Sequence, residues 1–349
     1  MRPAGKCRAK SRVCLLHPAG DMSVFLPVVE FTGGVAVMIW GADRFASGSV
    51  SIAHRLGVRP ILIGLTVVAL ATSAPEILVS AVAALHGEPD LAIGNAIGSN
   101  IVNIGLVLGM VALLRPIPLN SATVGREMPL LLAVSLLTIS LFLDGQVSRT
   151  DGFVLLSGMA IVMLWLTHVG ASMSVDDSAL AELRAEAPRP NGGVSTGTQL
   201  VIGLAALLLG AELLVQGATE VASQLGVSEV VVGIVLVALG TSLPELAVSI
   251  VSALKGEYGL MIGNIVGSNI FNTLAVVGVA SAIQPAVLPS PVLSSQVFVM
   301  VAFTLVLFAS TNDLEGKTHI SRIEGFSMLI AFAAFEVYTV ASSSSIVHS

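Results

Sequence analysis

Long apolar runs recur along the chain and are separated by short polar stretches. We identify ten of them, at about 23–42, 58–85, 90–113, 128–143, 152–169, 197–219, 227–254, 259–283, 296–310 and 325–342. A helix of about 20 apolar residues is long enough to cross the hydrocarbon core of a bilayer. The pattern therefore predicts an all-α, polytopic membrane protein with ten transmembrane helices.

The composition supports a membrane protein over a soluble one. Only 11% of the 349 residues are charged, and the mean hydropathy is +0.92. A soluble domain carries about 25% charged residues. Cys7 and Cys14 give neither a disulfide framework nor a zinc pattern. The expected partner is the lipid bilayer, and no feature indicates nucleic acid, an obligate protein partner or a cofactor.

The second half of the chain repeats the first at a constant offset of 169 residues, because 64–109 aligns with 233–278 without a gap. The first copy contains ATSAPE and GSNIVN, and the second contains GTSLPE and GSNIFN. A repeat of this length indicates a duplicated unit. We predict two five-helix repeats, 23–169 and 197–349, joined by a polar linker at 170–196.

The N-terminal residues 1–22 fit neither repeat. They carry five basic residues but no apolar run long enough to span a membrane. A signal peptide would need a short apolar region and a small-residue cleavage site, and no clear site of that kind follows. We interpret this segment as a disordered tail, or as a non-native extension with Met22 as the true initiator.

The distribution of Lys and Arg predicts the orientation. If the first helix starts outside, the inside loops hold ten basic residues, whereas the outside loops hold only Arg149 once the tail is set aside. Basic residues favour the cytoplasmic side. We therefore expect an inner (cell) membrane protein with both termini outside and a cytoplasmic linker. Because equivalent helices start five spans apart, the two repeats would have inverted topology.

Each repeat places one glutamate, Glu76 or Glu245, inside a long apolar run. A carboxylate at membrane depth costs at least about 2.5 kcal/mol and indicates a functional site. Two of them in equivalent positions of two inverted halves indicate a midplane cation site. Two negative charges could be neutralised by one Ca²⁺ or by several Na⁺ ions, which gives a physical basis for antiport.

Oxygen-bearing side chains surround each glutamate at helical spacing. On the first helix pair they are Thr72, Ser73, Ser80, Asn95, Ser99 and Asn103, and on the second Thr241, Ser242, Ser249, Asn264, Ser268 and Asn272. Hard oxygen ligands without His or Cys suit Ca²⁺ or an alkali cation. Asn95 and Asn264 could instead be interhelical contacts. Pro75 and Pro244 each remove one backbone hydrogen bond, so carbonyls such as those of Ala69 and Ala238 become candidate ligands.

The TS-x-PE and GSNI-x-N motifs resemble the two α-repeats of the cation/calcium exchanger superfamily, and the layout is similar to its bacterial and archaeal sodium/calcium exchangers, including the YrbG-type branch. The resemblance implies that Thr72, Glu76, Thr241 and Glu245 bind Ca²⁺. It assigns Na⁺ to Ser73, Ser99, Ser242, Ser268 and the carbonyls of Ala69 and Ala238, with Asn103 and Asn272 lining the site. Some relatives carry an aspartate at the position of Asn272, and the neutral side chain here argues against potassium dependence.

These observations lead to one main hypothesis and two alternatives. The main hypothesis is a secondary antiporter that exchanges Na⁺ for Ca²⁺ by alternating access. A buried glutamate can also exchange a proton, so a H⁺/Ca²⁺ antiporter is the first alternative. The second is a passive cation channel, against which the inverted repeat argues. We do not expect an enzyme, because no nucleophile–base pair or cofactor motif is present.

Overall fold

A computed structural model of the chain describes residues 20–118, 126–172, 195–225, 238–287, 291–311 and 319–347. Most of the N-terminal tail and of the central linker lie outside these residues, as does the segment 226–237 of the second repeat.

The described residues are helical almost throughout. The first repeat contains α1 (Gly20–Leu56), α2 (Pro60–Thr72), α3 (Ala74–Leu85), α4 (Pro89–Leu114), α5 (Glu127–Phe142) and α6 (Arg149–Ser172). The second contains α7 (Thr196–Gln224), α8 (Ala238–Thr241), α9 (Leu243–Leu254), α10 (Tyr258–Ile283), α11 (Pro291–Thr311) and α12 (Arg322–Val347). The all-α membrane architecture is confirmed.

Six of the described helices are long and apolar enough to cross a membrane, namely α1, α4, α6, α7, α10 and α12. The pair α2–α3 makes a seventh candidate span, bent by 44°. Shorter apolar helices occupy the positions of the three remaining predicted segments, in α5, α9 and α11. The described helices coincide with the ten apolar segments, apart from 227–237, which lie outside the described residues. The count of ten spans stays a prediction.

The first helix is longer than the sequence pattern predicts. Its apolar run ends near residue 42, but α1 continues to Leu56. Beyond residue 42 the buried apolar residues Phe45, Ala46, Val50 and Ala53 recur at intervals of one, four and three residues. This spacing is typical of an amphipathic helix rather than of a fully apolar span. Arg44 and Arg55, two of the ten basic residues that we assigned to the inside loops, therefore lie on a helix.

Four two-residue strands were not predicted. They are β1 (Ile117–Pro118), β2 (Gln146–Val147), β3 (Ala286–Val287) and β4 (His319–Ile320). Strand β1 pairs antiparallel with β4, and β2 pairs antiparallel with β3. Each pair joins a strand of the first repeat to a strand of the second. The two repeats are therefore linked twice by reciprocal pairings.

Helices α1 and α7 pack backbone against backbone along a line of glycines. Glycines recur every seven residues at 34, 41 and 48 on α1 and at 203, 210 and 217 on α7, again at the 169-residue offset. A Cβ atom at Gly41 would lie 2.3 Å from the backbone nitrogen of Leu207, and one at Gly210 would lie 2.3 Å from that of Met38. Small residues permit this close approach between membrane helices.

The same contacts show that α1 and α7 run in opposite directions. Gly34 lies against Leu214, Gly41 against Leu207 and Gly48 against Leu200. The residue number on α7 falls as the number on α1 rises, so the helices are antiparallel. Because they are equivalent elements of the two repeats, their antiparallel packing is that of an inverted repeat.

Helices α4 and α10 form the centre of the molecule. In their most apolar windows, 72% of α4 and 89% of α10 is buried inside the protein, against 28% for α1, α6, α7 and α12. Helix α10 also packs closely on α2, where a Cβ atom at Gly263 would lie 2.4 Å from the carbonyl oxygen of Ile61. The polar side chains of these two central helices are therefore surrounded by protein rather than by lipid.

Candidate cation-binding site

Each repeat contains a helix break two residues before its Pro-Glu pair. The breaks fall at Ser73, with φ −84° and ψ 6°, and at Ser242, with φ −89° and ψ 3°. Pro75 and Pro244 then lie in the first turn of α3 and α9, where a missing N–H removes no helical hydrogen bond. The break places each glutamate near a helix N-terminus, where backbone N–H groups favour negative charge.

The two glutamates are fully buried and are bound crosswise by the two repeats. Glu245 Oε1 accepts hydrogen bonds from Ser73 Oγ at 3.1 Å and from Ser268 Oγ at 3.3 Å. Glu76 Oε1 accepts one from Ser242 Oγ at 3.4 Å. Each carboxylate thus contacts the serine that lies two residues before the proline in the opposite repeat. The predicted site is formed by both halves together.

Threonine and asparagine side chains extend this hydrogen-bonded group. Thr72 is fully buried, and its hydroxyl donates to Asn264 Oδ1 at 3.1 Å. Thr241 contacts Glu76 through its hydroxyl. The structure thus brings together Thr72, Ser73, Glu76, Thr241, Ser242, Glu245 and Ser268.

Asn95 and Asn264 make the interhelical contacts that we considered for them. Asn95 Nδ2 donates to Ser80 Oγ at 3.0 Å and so joins α4 to α3. Asn264 Nδ2 donates to Ser249 Oγ at 3.0 Å and joins α10 to α9. Asn264 differs from Asn95 because its carbonyl oxygen also reaches the site through Thr72.

Several buried polar atoms of the predicted site residues have no hydrogen-bond partner. They are Oε2 of Glu76 and of Glu245, Oγ of Ser99, Oδ1 of Asn103, and both amide atoms of Asn272. An unsatisfied buried polar atom costs about 1–3 kcal/mol, and a charged one costs more. A cation bound among these atoms would satisfy the oxygens, although not the amide nitrogen of Asn272, which is a donor. The donor set is carboxylate, hydroxyl and amide oxygen, which fits Ca²⁺ and Na⁺.

The carbonyl oxygen of Ala69 is not released by the kink. It accepts the backbone N–H of Ser73 at 2.9 Å and lies 3.4 Å from the hydroxyl oxygen of Thr72. In the second repeat, the N–H of Ser242 reaches Leu239 instead, at 3.1 Å. Ala238 begins α8, and its side chain lies outside the described residues. The two kinks therefore differ in their backbone hydrogen bonding.

The central asparagines Asn100 and Asn269, which were not among the predicted residues, join α4 to α10. Asn269 Oδ1 accepts a hydrogen bond from Asn103 Nδ2 at 3.3 Å, and Asn100 Nδ2 donates to Thr273 Oγ1 at 2.7 Å. Both asparagines belong to the GSNI-x-N motif and occupy equivalent positions in it, which is the sequence signal for them. Asn103 and Asn272 also begin a π-helical turn in each repeat, a feature that is frequent at functional sites.

A cavity of about 430 Å³ adjoins the site on one side. It is lined by Pro75, Thr241, Pro244 and, from α7, Glu212 and Val215, among others. Thr241 is partly exposed there, whereas its equivalent Thr72 is completely buried. The site is therefore closer to an opening on the Thr241 side than on the Thr72 side.

An inverted repeat that encloses two buried carboxylates defines a secondary transporter of cations. The family model described as sodium/calcium exchanger protein matches residues 26–168 and 197–341. The chain therefore belongs to the sodium/calcium exchanger family, which is a family of transporters.

Individual relatives agree with this assignment. The chain is 45% identical to the protein CaxA of Alkalimonas amylolytica, named as an antiporter, over 87% of this chain and 95% of CaxA. It is 38% identical to the inner membrane protein YrbG of Escherichia coli (strain K12), over 79% of this chain and 85% of YrbG. The structure of the sodium-calcium exchanger NCX_Mj soaked with Na⁺ and Sr²⁺ superposes with a TM-score of 0.76 at 36% identity, covering 89% of this chain and 97% of that one.

Proposed function

We propose that the protein is a secondary antiporter that exchanges Na⁺ for Ca²⁺ at the site between its two repeats. The observation that carries this proposal is the crosswise binding of Glu76 and Glu245 by serines of the opposite repeat. A site assembled from both halves changes when either half moves. Such coupling between the site and the two repeats is what alternating access requires.

The geometry supports a division of the ligands between the two ions. Thr72, Glu76, Thr241 and Glu245 would bind Ca²⁺ through hydroxyl and carboxylate oxygens. Na⁺ would be bound by Ser73, Ser99, Ser242, Ser268 and the carbonyls of Ala69 and Ala238, with Asn103 and Asn272 lining the site. The unpartnered oxygens of Ser99, Asn103 and Asn272 support this assignment. The carbonyl of Ala69 has a second lone pair available beside its helical hydrogen bond.

Charge neutralisation explains why the ions would be exchanged rather than bound together. One Ca²⁺ neutralises the two carboxylates, and a small number of Na⁺ ions does the same. Without a cation, two neighbouring carboxylates would face each other in a water-poor interior, which is unfavourable. The protein would therefore change between its two conformations only when the site holds Ca²⁺ or Na⁺.

The comparisons favour Na⁺ as the counter-ion. The family and the structural relative are sodium/calcium exchangers, and the H⁺ alternative is not favoured. We propose that the ions are the substrates and that no resident cofactor is needed.

For the membrane arrangement, we propose two five-helix repeats in an inner membrane, with both termini outside and the linker at 170–196 inside. The antiparallel packing of α1 against α7 supports the inverted repeats, and the excess of basic residues in the inside loops supports the orientation. A single cysteine introduced into the linker tests the orientation in intact cells, in a protein whose Cys7 and Cys14 are replaced by serine. It should resist an impermeant maleimide until the cells are broken, and rapid labelling of intact cells would reverse the assignment.

Proteoliposomes loaded with Na⁺ and diluted into Na⁺-free buffer test the transport function. We expect uptake of ⁴⁵Ca²⁺ that requires internal Na⁺ and that disappears in the Glu76→Gln protein. Uptake driven by a proton gradient alone would instead make the protein a H⁺/Ca²⁺ antiporter. Single-channel conductance in a planar bilayer would show a passive channel, and both of these results contradict the proposal.

A further inference from the structure

An ion pair joins α1 to the end of α9. Lys255 Nζ lies 2.6 Å from Asp43 Oδ1 and also donates to Ser47 Oγ at 2.6 Å. It reaches the carbonyl oxygen of Asp43 as well, at 3.2 Å. The lysine is thus held by one turn of α1.

The other repeat carries the same kinds of side chain at the equivalent positions but does not join them. At the offset of 169 residues, Asp43 corresponds to Glu212, and Lys255 corresponds to His86. In the described parts of the chain, Glu212 has no ion pair and instead accepts a hydrogen bond from Gln216 at 2.6 Å. His86 is exposed at the end of α3.

The two repeats also differ in the burial of α9, which Lys255 follows, and of its equivalent α3, which His86 follows. Ala247 and Val251 on α9 are 5% and 9% exposed and pack with residues of α1. Their equivalents on α3, Leu78 and Val82, are 66% and 42% exposed. The 430 Å³ cavity lies between α3 and α7, whereas helices α1 and α9 are in direct contact.

We propose that Asp43–Lys255 and Glu212–His86 are two alternating gates of the exchanger, of which the structure shows the first closed and the second open. This inference rests on the proposed antiport function. In an inverted-repeat transporter, alternating access moves one repeat or bundle against the other around a fixed site. In the opposite state, α3 would pack on α7 and bring His86 to Glu212, while Lys255 would leave Asp43.

The two gates differ in strength because their bases differ. Lysine is a stronger base than histidine and carries its charge throughout the neutral range. The Lys255 gate should therefore be the more stable one, and the conformation seen in the structure should be preferred at rest. Partly exposed ion pairs are weak, so we expect their loss or gain to shift the population of the two states by about fivefold or less.

The labelling rate of a single cysteine in the full-length protein measures the populations of the two states and does not require transport. Cys7 and Cys14 are replaced by serine, and a single cysteine is placed at position 82 or 251. We expect Lys255→Gln to raise the labelling rate at position 251 several-fold and to lower it at position 82. His86→Lys should lower the rate at position 82. Arg55→Gln, which removes a positive charge from the end of α1, serves as the control and should change neither rate.

The charge exchange Asp43→Lys with Lys255→Asp separates gating from misfolding, because it should return both rates toward those of the parent. Unchanged rates in Lys255→Gln and His86→Lys would overturn the proposal. A rise at position 251 without a fall at position 82 would also overturn it, since it would show only local loosening. Measuring ⁴⁵Ca²⁺ uptake in parallel distinguishes a failure of the gate proposal from a failure of the antiport proposal. Retained exchange with unchanged labelling refutes the gates alone, and shifted labelling without any exchange in the parent refutes the antiport function.

Discussion

Ser73 of the first repeat donates its hydroxyl hydrogen to Glu245 of the second, with an oxygen–oxygen distance of 3.1 Å. The equivalent bond from Ser242 to Glu76 measures 3.4 Å. Neither repeat therefore completes the environment of its own glutamate. A movement of one repeat relative to the other must change the surroundings of both carboxylates at once, so an ion bound there would be coupled to the conformation.

Substitution of Ser73 by alanine should weaken ion binding strongly while the fold is retained. A hydrogen bond to a charged group contributes about 1.5–3 kcal/mol, so we expect the half-saturating Na⁺ concentration to rise roughly tenfold or more. Concentration series of Na⁺-dependent ⁴⁵Ca²⁺ uptake measure this change. Ser327→Ala is the control, because Ser327 is exposed on α12 and bonds only its own helix. An unchanged Na⁺ dependence in Ser73→Ala would remove Ser73 from the site.

The variants Glu76→Gln and Glu245→Gln should each abolish exchange, because one remaining carboxylate cannot neutralise a divalent cation. Membrane insertion and the elution profile in detergent should stay normal, since glutamine has nearly the same shape. Glu336→Gln is a matched control, because Glu336 also lies on an apolar helix but outside both motifs. Native exchange rates in either site variant would contradict the central role of the two glutamates.

The variant Asn272→Asp should change the ion dependence more than the stability. Asn272 is completely buried, and neither of its amide atoms has a hydrogen-bond partner. A third carboxylate there would add negative charge beside the site and should favour Ca²⁺ over Na⁺. Uptake measured with Na⁺, K⁺ and proton gradients tests this expectation.

Asn100→Asp provides the comparison for this experiment. The amide of Asn100 already donates to Thr273 and lies near Met300 Sδ, so a charge there should mainly lower the thermal stability. If Asn272→Asp behaves in the same way, with its ion dependence unchanged, Asn272 does not line the site.

The glycines between α1 and α7 should be sensitive to the smallest substitution. A Cβ atom at Gly210 would lie 2.3 Å from the backbone nitrogen of Met38, so Gly210→Ala must push the helices apart. Overpacking of this kind costs about 1–3 kcal/mol, and a lower melting temperature in detergent should report it. Gly33→Ala on α1 has no atom within 4 Å of its new Cβ and should be neutral or slightly stabilising. Equal melting temperatures for the two variants would refute the close packing.

The sequence by itself determined the class of the protein and the candidate members of its site. Twenty-residue apolar runs indicate membrane helices because a bilayer core has a set thickness. The gapless repeat around TS-x-PE and GSNI-x-N identified two equivalent glutamates and the polar side chains near them. Helical spacing then placed those side chains on common faces. These inferences depend only on local geometry and on the cost of polar groups in an apolar medium.

The tertiary structure decided which of these residues contact one another and which of the flanking charged residues form an ion pair. The bond between Ser73 and Glu245 spans 172 residues of sequence, and neither helical periodicity nor a repeat predicts such a contact. Asp43 and Glu212 look equivalent in the sequence, yet only Asp43 forms an ion pair in the described structure. Two repeats with nearly the same motifs can adopt different conformations because packing energy depends on the relative position of whole helices. That difference is absent from the sequence pattern and exists only in the folded molecule.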